Sequence, residues 1–174
     1  MRYSYRNLYE KSYAFYAEKP RAVSLLKIAN KLFTAAFFIA YAIVVWQTAS
    51  NMVAANRYYE VLMRLLFAPL LCLLLVTILR YAVNRPRPYS EQGAQITPLK
   101  TKNGNADKSF PSRHLASAFV IAVAVLSYSA ILGIVLLPFA FALGYIRFAL
   151  GLHYPSDLFG GAIIGTLCGL LVFL

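Results

Sequence analysis

Residues 115–150 read LASAFVIAVAVLSYSAILGIVLLPFAFALGYIRFAL, and their only charge is Arg147. A membrane helix needs about 20 apolar residues to cross roughly 30 Å of hydrocarbon. These 36 residues are too many for one span and enough for two. A tight turn between Ser127 and Gly133 is the expected division.

Working outward, residues 32–49 form an earlier apolar run, with Trp46 as an interface anchor at one end. Lys27 and Lys31 snorkel at its other end. Residues 58–79 form a second run, interrupted by Pro69 and ended by Arg80. Residues 158–174 form the last. Period-two alternation is absent from these runs, which argues against a transmembrane β-barrel. The expected fold is all-α: a polytopic membrane bundle of about five transmembrane helices with an N-terminal interfacial helix.

That helix is expected within residues 1–26, where Arg2, Arg6, Lys11, Lys19 and Arg21 alternate with tyrosines at 3, 5, 9, 13 and 16. Pro20 should break it before the first span. No short apolar stretch with a small-residue cleavage site is present there. One domain covering residues 1–174 is the natural unit.

Composition agrees with a membrane chain. It is 60% hydrophobic with mean hydropathy +0.62, against about 45–50% apolar for soluble domains. The net charge is +11, from 17 basic and 6 acidic residues. Those charges gather at the ends of apolar runs, which fits anionic headgroups or an anionic substrate and disfavours nucleic acid. Cys72 and Cys168 lie inside apolar runs and offer neither a disulfide framework nor a thiolate metal site.

Three polar clusters remain: Arg80 with Arg87-Pro88, then Ser112-Arg113-His114, then Arg147, His153 and Asp157. With spans alternating up and down, all three fall on one membrane face. The polar segment 81–113 joins the first two. It carries Pro86, Pro88, Gly93, Pro98, Asn103-Gly104-Asn105 and Pro111, and is long enough for a lid.

Arginine guanidinium groups suit phosphate oxygens. Ser112 is placed to cap the third membrane helix, whose N-terminus would favour an anion. His114 in its first turn is a candidate general acid. His153 and Asp157, four residues apart, read as an imidazole oriented by a carboxylate, with one ring nitrogen free to attack. Arg85 reads as a peripheral surface charge.

Together the clusters resemble the type 2 phosphatidic acid phosphatase (PAP2) superfamily, whose pattern is Lys-x6-Arg-Pro, Pro-Ser-Gly-His and Ser-Arg-x5-His-x3-Asp. The match spans residues 80–157. Arg80 stands for Lys, Arg113 for Gly and Ile146 for Ser. The resemblance implies a phosphatase in which His153 forms a phosphohistidine, Asp157 orients it, and His114 protonates the leaving oxygen. Arg80, Arg87, Ser112, the N–H of Arg113 and Arg147 would hold the phosphoryl oxygens. A site at the membrane face implies a lipid substrate.

Prenyl diphosphates such as undecaprenyl diphosphate, phosphatidic acid and phosphatidylglycerol phosphate all fit. The extra cation of Arg113 favours a diphosphate. No cofactor and no divalent metal are expected, because both histidines have roles and the arginines supply the positive charge. The alternative is a non-catalytic binder or carrier of anionic lipids, which would not need His153 and Asp157. A vanadium haloperoxidase, from the same superfamily, is disfavoured by the spans. Basic residues number 15 on the site's face, against Arg57 and Arg64 opposite. The positive-inside rule alone would place that face in the cytoplasm. Eight of the 15 lie in the motif segments, where phosphate accounts for them equally well, so the side stays open. Nothing in the sequence sets an oligomeric state.

Overall fold

The computed structural model describes residues 2–54, 59–100 and 108–174. Arg57, the Asn103-Gly104-Asn105 turn and Asp107 lie outside the described residues. Six helices follow in order: α1 (Arg2–Ala17), α2 (Pro20–Ala54), α3 (Tyr59–Val83), α4 (Arg113–Leu126), α5 (Ala130–Ala149) and α6 (Pro155–Leu170). A 3-10 turn, Leu171–Phe173, closes the chain as given. The described residues contain no strand.

α2, α3, α5 and α6 with its 3-10 turn are each long and apolar enough to cross a membrane; α4 is the shorter apolar helix. At about 1.5 Å per residue the 14 residues of α4 extend roughly 21 Å, less than the hydrocarbon thickness. α4 and α5 are separated between Leu126 and Ala130, and Ser129 caps α5 by accepting from the Leu132 N–H. The division of the 115–150 run therefore falls where its sequence placed it.

The N-terminal boundary differs from expectation. The interfacial helix ends at Ala17, and residues 20–31 belong to α2, which runs 35 residues. Pro20 begins that helix rather than only ending the previous one. Its missing N–H costs nothing in a first turn, where no intrahelical acceptor exists.

α4 occupies the centre. Leu115, Ala116 and every residue from Ala118 to Val125 are buried. Its alanines let neighbours come close, and α6 meets it with Gly161, Gly165 and Gly169. A Cβ on Gly161 would sit 2.7 Å from the Ser112 carbonyl oxygen, and one on Gly169 would sit 2.7 Å from Val123 Cβ. Small residues at four-residue spacing allow this approach, which dispersion rather than hydrophobicity rewards inside lipid. It also locks the first turn of α6 against the first turn of α4. The outer surface is a belt of exposed apolar side chains, including Trp46, Phe67, Ile131 and Phe159. Lipid covers this surface in a polytopic membrane protein.

α1 lies across the face where α3 and α5 end and α4 and α6 begin. Tyr5 and Tyr9 are buried there against Phe148, Tyr154, Ala94 and Ile96. The Tyr9 hydroxyl donates to the Thr97 carbonyl at 3.1 Å. It also crowds Gly151, whose φ of +75° and lack of room for a Cβ both require glycine.

Candidate active site

The three clusters converge at this face. Arg80, in the last turn of α3, donates from Nη1 to the Pro111 carbonyl at 2.9 Å. Arg87, in the α3–α4 segment, donates to the Leu152 carbonyl at 3.0 Å. The Ser112 N–H donates to the Asp157 carbonyl at 2.9 Å, tying the starts of α4 and α6. Arg147, in the last turn of α5, donates to Asn30 Oδ1 of α2 at 3.0 Å.

Ser109 binds the segment together. Its N–H donates to the Arg85 carbonyl at 2.7 Å, and its hydroxyl to the Pro86 carbonyl at 3.2 Å. Its own carbonyl receives His153 Nδ1 at 3.1 Å and a long contact from Arg80 at 3.5 Å.

His153 and Asp157 are both buried. The Asp157 carboxylate accepts from Arg85 Nη1 at 2.8 Å and from the Tyr154 N–H at 2.9 Å. His153 Nδ1 is 3.6 Å from Oδ2, close enough for charge to act but too long for a hydrogen bond. Arg85 is therefore not the peripheral charge its sequence position suggested. It is the ion-pair partner of the one buried carboxylate among the described residues.

Electrostatics leave the cluster unbalanced. Arg80, Arg87 and Arg147 are each at most 6% exposed, and none has a carboxylate within ion-pair distance among the described residues. Burial holds the Arg87 guanidinium below its ordinary pKa, and Arg113 adds to the effect. Burial pushes the His153 imidazole from 6.5 to about 3. Arg147 and Arg87 push the same way, and Asp157 opposes them. The imidazole is therefore neutral across the physiological range. With Nδ1–H donating to Ser109, Nε2 carries the free lone pair.

Orphaned polar atoms mark the same place. Six buried side-chain polar atoms lack a partner among the described residues, and three are Arg87 Nε, Arg147 Nε and Ser112 Oγ. Ser112 does occupy the N-cap position of α4, but its hydroxyl makes no capping bond. Unpartnered buried donors cost about 1–3 kcal/mol each, and more when charged. An anion bearing several oxygens would satisfy donors of this kind.

Arg113 is exposed, and His114 is half-buried. Both line one end of an apolar cavity of about 330 Å³ between α2, α3, α4 and α5. Phe37 and Tyr41 of α2, Leu73 of α3 and Ile121 of α4 line its walls. From His114 to Ile121 the slot follows α4 for about 10 Å, away from the polar face.

Sequence reasoning missed Asn30, Ser109 and the role of Arg85. Asn30 did carry a signal, as an uncharged polar residue between Lys27 and Lys31 at the start of an apolar run. Ser109 acts through its backbone, which no residue pattern reveals.

The chain is 36% identical over 101 residues to the lipid A 4'-phosphatase of Bacteroides thetaiotaomicron, covering 56% of this chain and 45% of that protein. It is 37% identical over 68 residues to the undecaprenyl-diphosphatase BcrC of Bacillus subtilis, covering 39% of this chain and 35% of that protein. It thus spans less than half the length of either relative. LpxE of Aquifex aeolicus superposes with a TM-score of 0.68 at 26% identity, over 94% of this chain and 93% of that one. The PAP2-type phosphatidylglycerolphosphate phosphatase of Bacillus subtilis superposes with a TM-score of 0.71 at 22% identity, over 98% and 83%, a likeness of fold. Residues 61–174 match the PAP2 superfamily, and the chain, with four helices long and apolar enough to cross a membrane among the described residues, belongs to that superfamily as a multi-pass membrane protein.

Proposed function

We propose that the protein hydrolyses a lipid phosphate or diphosphate through a phosphohistidine on His153. One observation carries this reading: among the described residues Arg80, Arg87 and Arg147 are buried without a carboxylate in ion-pair contact, and Arg87 Nε, Arg147 Nε and Ser112 Oγ are buried without a partner. A phosphoryl group supplies the missing charge and acceptors. Phosphoryl transfer mainly needs positioning and charge stabilisation, which such a cradle offers.

In the proposed cycle, His153 Nε2 attacks phosphorus while the bond to the lipid oxygen breaks. His114 gives that oxygen its proton. Water, deprotonated by His114, then attacks phosphorus and breaks the N–P bond. Inorganic phosphate leaves and the imidazole returns to its neutral state. Asp157 supports the positive charge that develops on the ring. Arg80, Arg87, Arg147, Ser112 and the Arg113 N–H hold the phosphoryl oxygens.

The slot beginning at His114 supports a lipid leaving group. The residue that protonates the leaving oxygen would stand where the hydrocarbon chain descends between α2 and α4. Arg113 at the same mouth supports a prenyl diphosphate, since its guanidinium could hold the phosphate that stays with the chain. The activities named for the two curated relatives concern different lipids and share phosphate removal. No divalent metal is assigned to the cycle.

The test is phosphate release by purified protein in detergent from undecaprenyl diphosphate, farnesyl diphosphate, phosphatidic acid, phosphatidylglycerol phosphate and lipid A. Release above a His153→Ala control is expected, largest with a diphosphate. Binding of these lipids without release would leave an anionic-lipid carrier instead.

A further inference from the structure

Arg85 behaves unlike the other motif arginines. Arg80, Arg87 and Arg147 donate to uncharged oxygens, and among the described residues none of them contacts a carboxylate. Arg85 spends its Nη1 on the first turn of α6, donating to Asp157 Oδ1 at 2.8 Å and to Ser156 Oγ at 2.7 Å. Its guanidinium carbon lies 4.1 Å from the centroid of the Tyr154 ring. That ring is held in turn by Tyr5 of α1, with centroids 4.7 Å apart at 62°. Carboxylate, hydroxyl and ring face thus fix the guanidinium on three sides, a geometry that suits its planar fork.

The consequence reaches His153 through Asp157. The carboxylate is 0% exposed and is gripped at Oδ1 by Arg85 and at Oδ2 by the Tyr154 N–H. Held so, it stands 3.6 Å from His153 Nδ1, which instead donates to Ser109. Without Arg85 a buried carboxylate would lose the one arginine that contacts it among the described residues, and a poorly compensated buried charge is expensive. The carboxylate has two ways to relieve that cost. Taking a proton would remove the charge that supports a positive imidazole. Swinging onto Nδ1 would turn the ring away from Ser109 and misdirect Nε2.

We propose that Arg85 is a positioning residue that acts on the nucleophile only through Asp157 and does not hold the phosphoryl group. The inference rests on the reading of His153 as the nucleophile. It assigns a role to a residue outside the Arg80, Arg87 and Arg147 cradle.

The test compares Arg85→Gln, Arg85→Lys, Asp157→Asn and the Arg85→Gln/Asp157→Asn double variant, all purified in detergent. Turnover and KM are measured on whichever lipid phosphate the wild type hydrolyses, and affinity is measured with orthovanadate. Arg85→Gln should lower kcat about 10- to 100-fold, the scale of a misplaced reacting group. KM and orthovanadate affinity should stay within about twofold, because the cradle is untouched. Arg85→Lys should recover part of kcat. The double variant should be no slower than Asp157→Asn alone, since one residue acts through the other.

A rise in KM and loss of orthovanadate affinity with kcat preserved would place Arg85 on the phosphate and overturn the proposal. Multiplying effects in the double variant would overturn it as well. If Arg85→Gln fails to fold, Arg85→Lys decides: a lowered kcat with normal orthovanadate binding supports the proposal. Normal kcat, or failure to fold in both variants, overturns it in favour of a purely structural ion pair. No turnover by the wild type on any substrate would instead strike the phosphatase reading itself.

Discussion

His153 Nδ1 lies 3.1 Å from the Ser109 carbonyl oxygen and 3.6 Å from Asp157 Oδ2. The backbone, not the carboxylate, takes the ring's hydrogen bond. The orientation of the imidazole therefore does not depend on Asp157 alone, and Asp157 acts on the ring chiefly through its charge, against burial and the charges of Arg147 and Arg87.

The two residues should accordingly differ in how far they can be replaced. His153→Ala removes the nitrogen proposed to attack and should lower turnover by about 10³-fold or more. Asp157→Asn keeps the Tyr154 N–H bond and the ring's contact with Ser109, and should lower turnover less. Rates for both variants, with melting temperatures showing an intact fold, check this. Near-normal turnover in His153→Ala would contradict the covalent mechanism.

Asn30 is the polar partner of Arg147 across the α2–α5 interface. Asn30→Leu would leave Nη1 as bare as Nε in a buried setting. A lost hydrogen bond to a charged group costs about 2 kcal/mol. The variant should melt lower by that amount and bind orthovanadate more weakly, because the guanidinium is free to turn. Unchanged stability would mean that water or lipid headgroups replace Asn30.

How much of this was legible in the sequence follows the kind of signal involved. Apolar runs and their breaks, such as 115–150 with its division before Ala130, depend on local composition and were readable. So were the three motif clusters, because helix alternation places their ends together without knowledge of packing. Arg85 was misread because a cation two residues from Arg87 has no sequence mark separating a surface charge from an ion pair. Its partner Asp157 arrives from 72 residues away. The glycines of α6 at 161, 165 and 169 are visible as a four-residue stripe, but only the centrality of α4 says what they meet.

The buried imidazole predicts a pH dependence of stability. In the unfolded chain His153 takes a proton near pH 6.5, whereas in the fold it stays neutral until about pH 3. Between those values the unfolded state binds one more proton, so stability falls as pH falls. The slope from this residue is up to about 1.4 kcal/mol per pH unit, and it disappears below about pH 3. Denaturation in detergent at pH 7, 6 and 5 should show a steeper loss for the wild type than for His153→Gln. Equal slopes would mean that the folded imidazole is protonated in this range.

Arg113 stands where the superfamily pattern has glycine, is exposed, and borders the slot beside His114. The superfamily pattern thus carries no side chain there, so the proposed phosphoryl transfer does not call for this guanidinium. Arg113→Gly should therefore lower diphosphate hydrolysis more than monophosphate hydrolysis, by roughly the 1.5–3 kcal/mol of a charged hydrogen bond. The ratio of kcat/KM for the two substrate types reads this directly. An unchanged ratio would show that the guanidinium plays no part in substrate choice.

Among the described residues no three His, Cys, Asp or Glu side chains converge as a metal cage would need. Asp157 is already held by Arg85 and the Tyr154 N–H. Arg80, Arg87 and Arg147 put positive charge where a divalent ion would otherwise neutralise phosphate, and they would repel such an ion. Phosphate release should therefore survive exhaustive chelation with EDTA. Orthovanadate, which can adopt the five-coordinate geometry of phosphoryl transfer, should inhibit it and raise the melting temperature. The stabilisation should grow with orthovanadate concentration as binding to the folded state requires, and it should vanish in a variant lacking Arg87 and Arg147. Activity lost to EDTA and restored by magnesium or zinc would overturn the metal-independent mechanism.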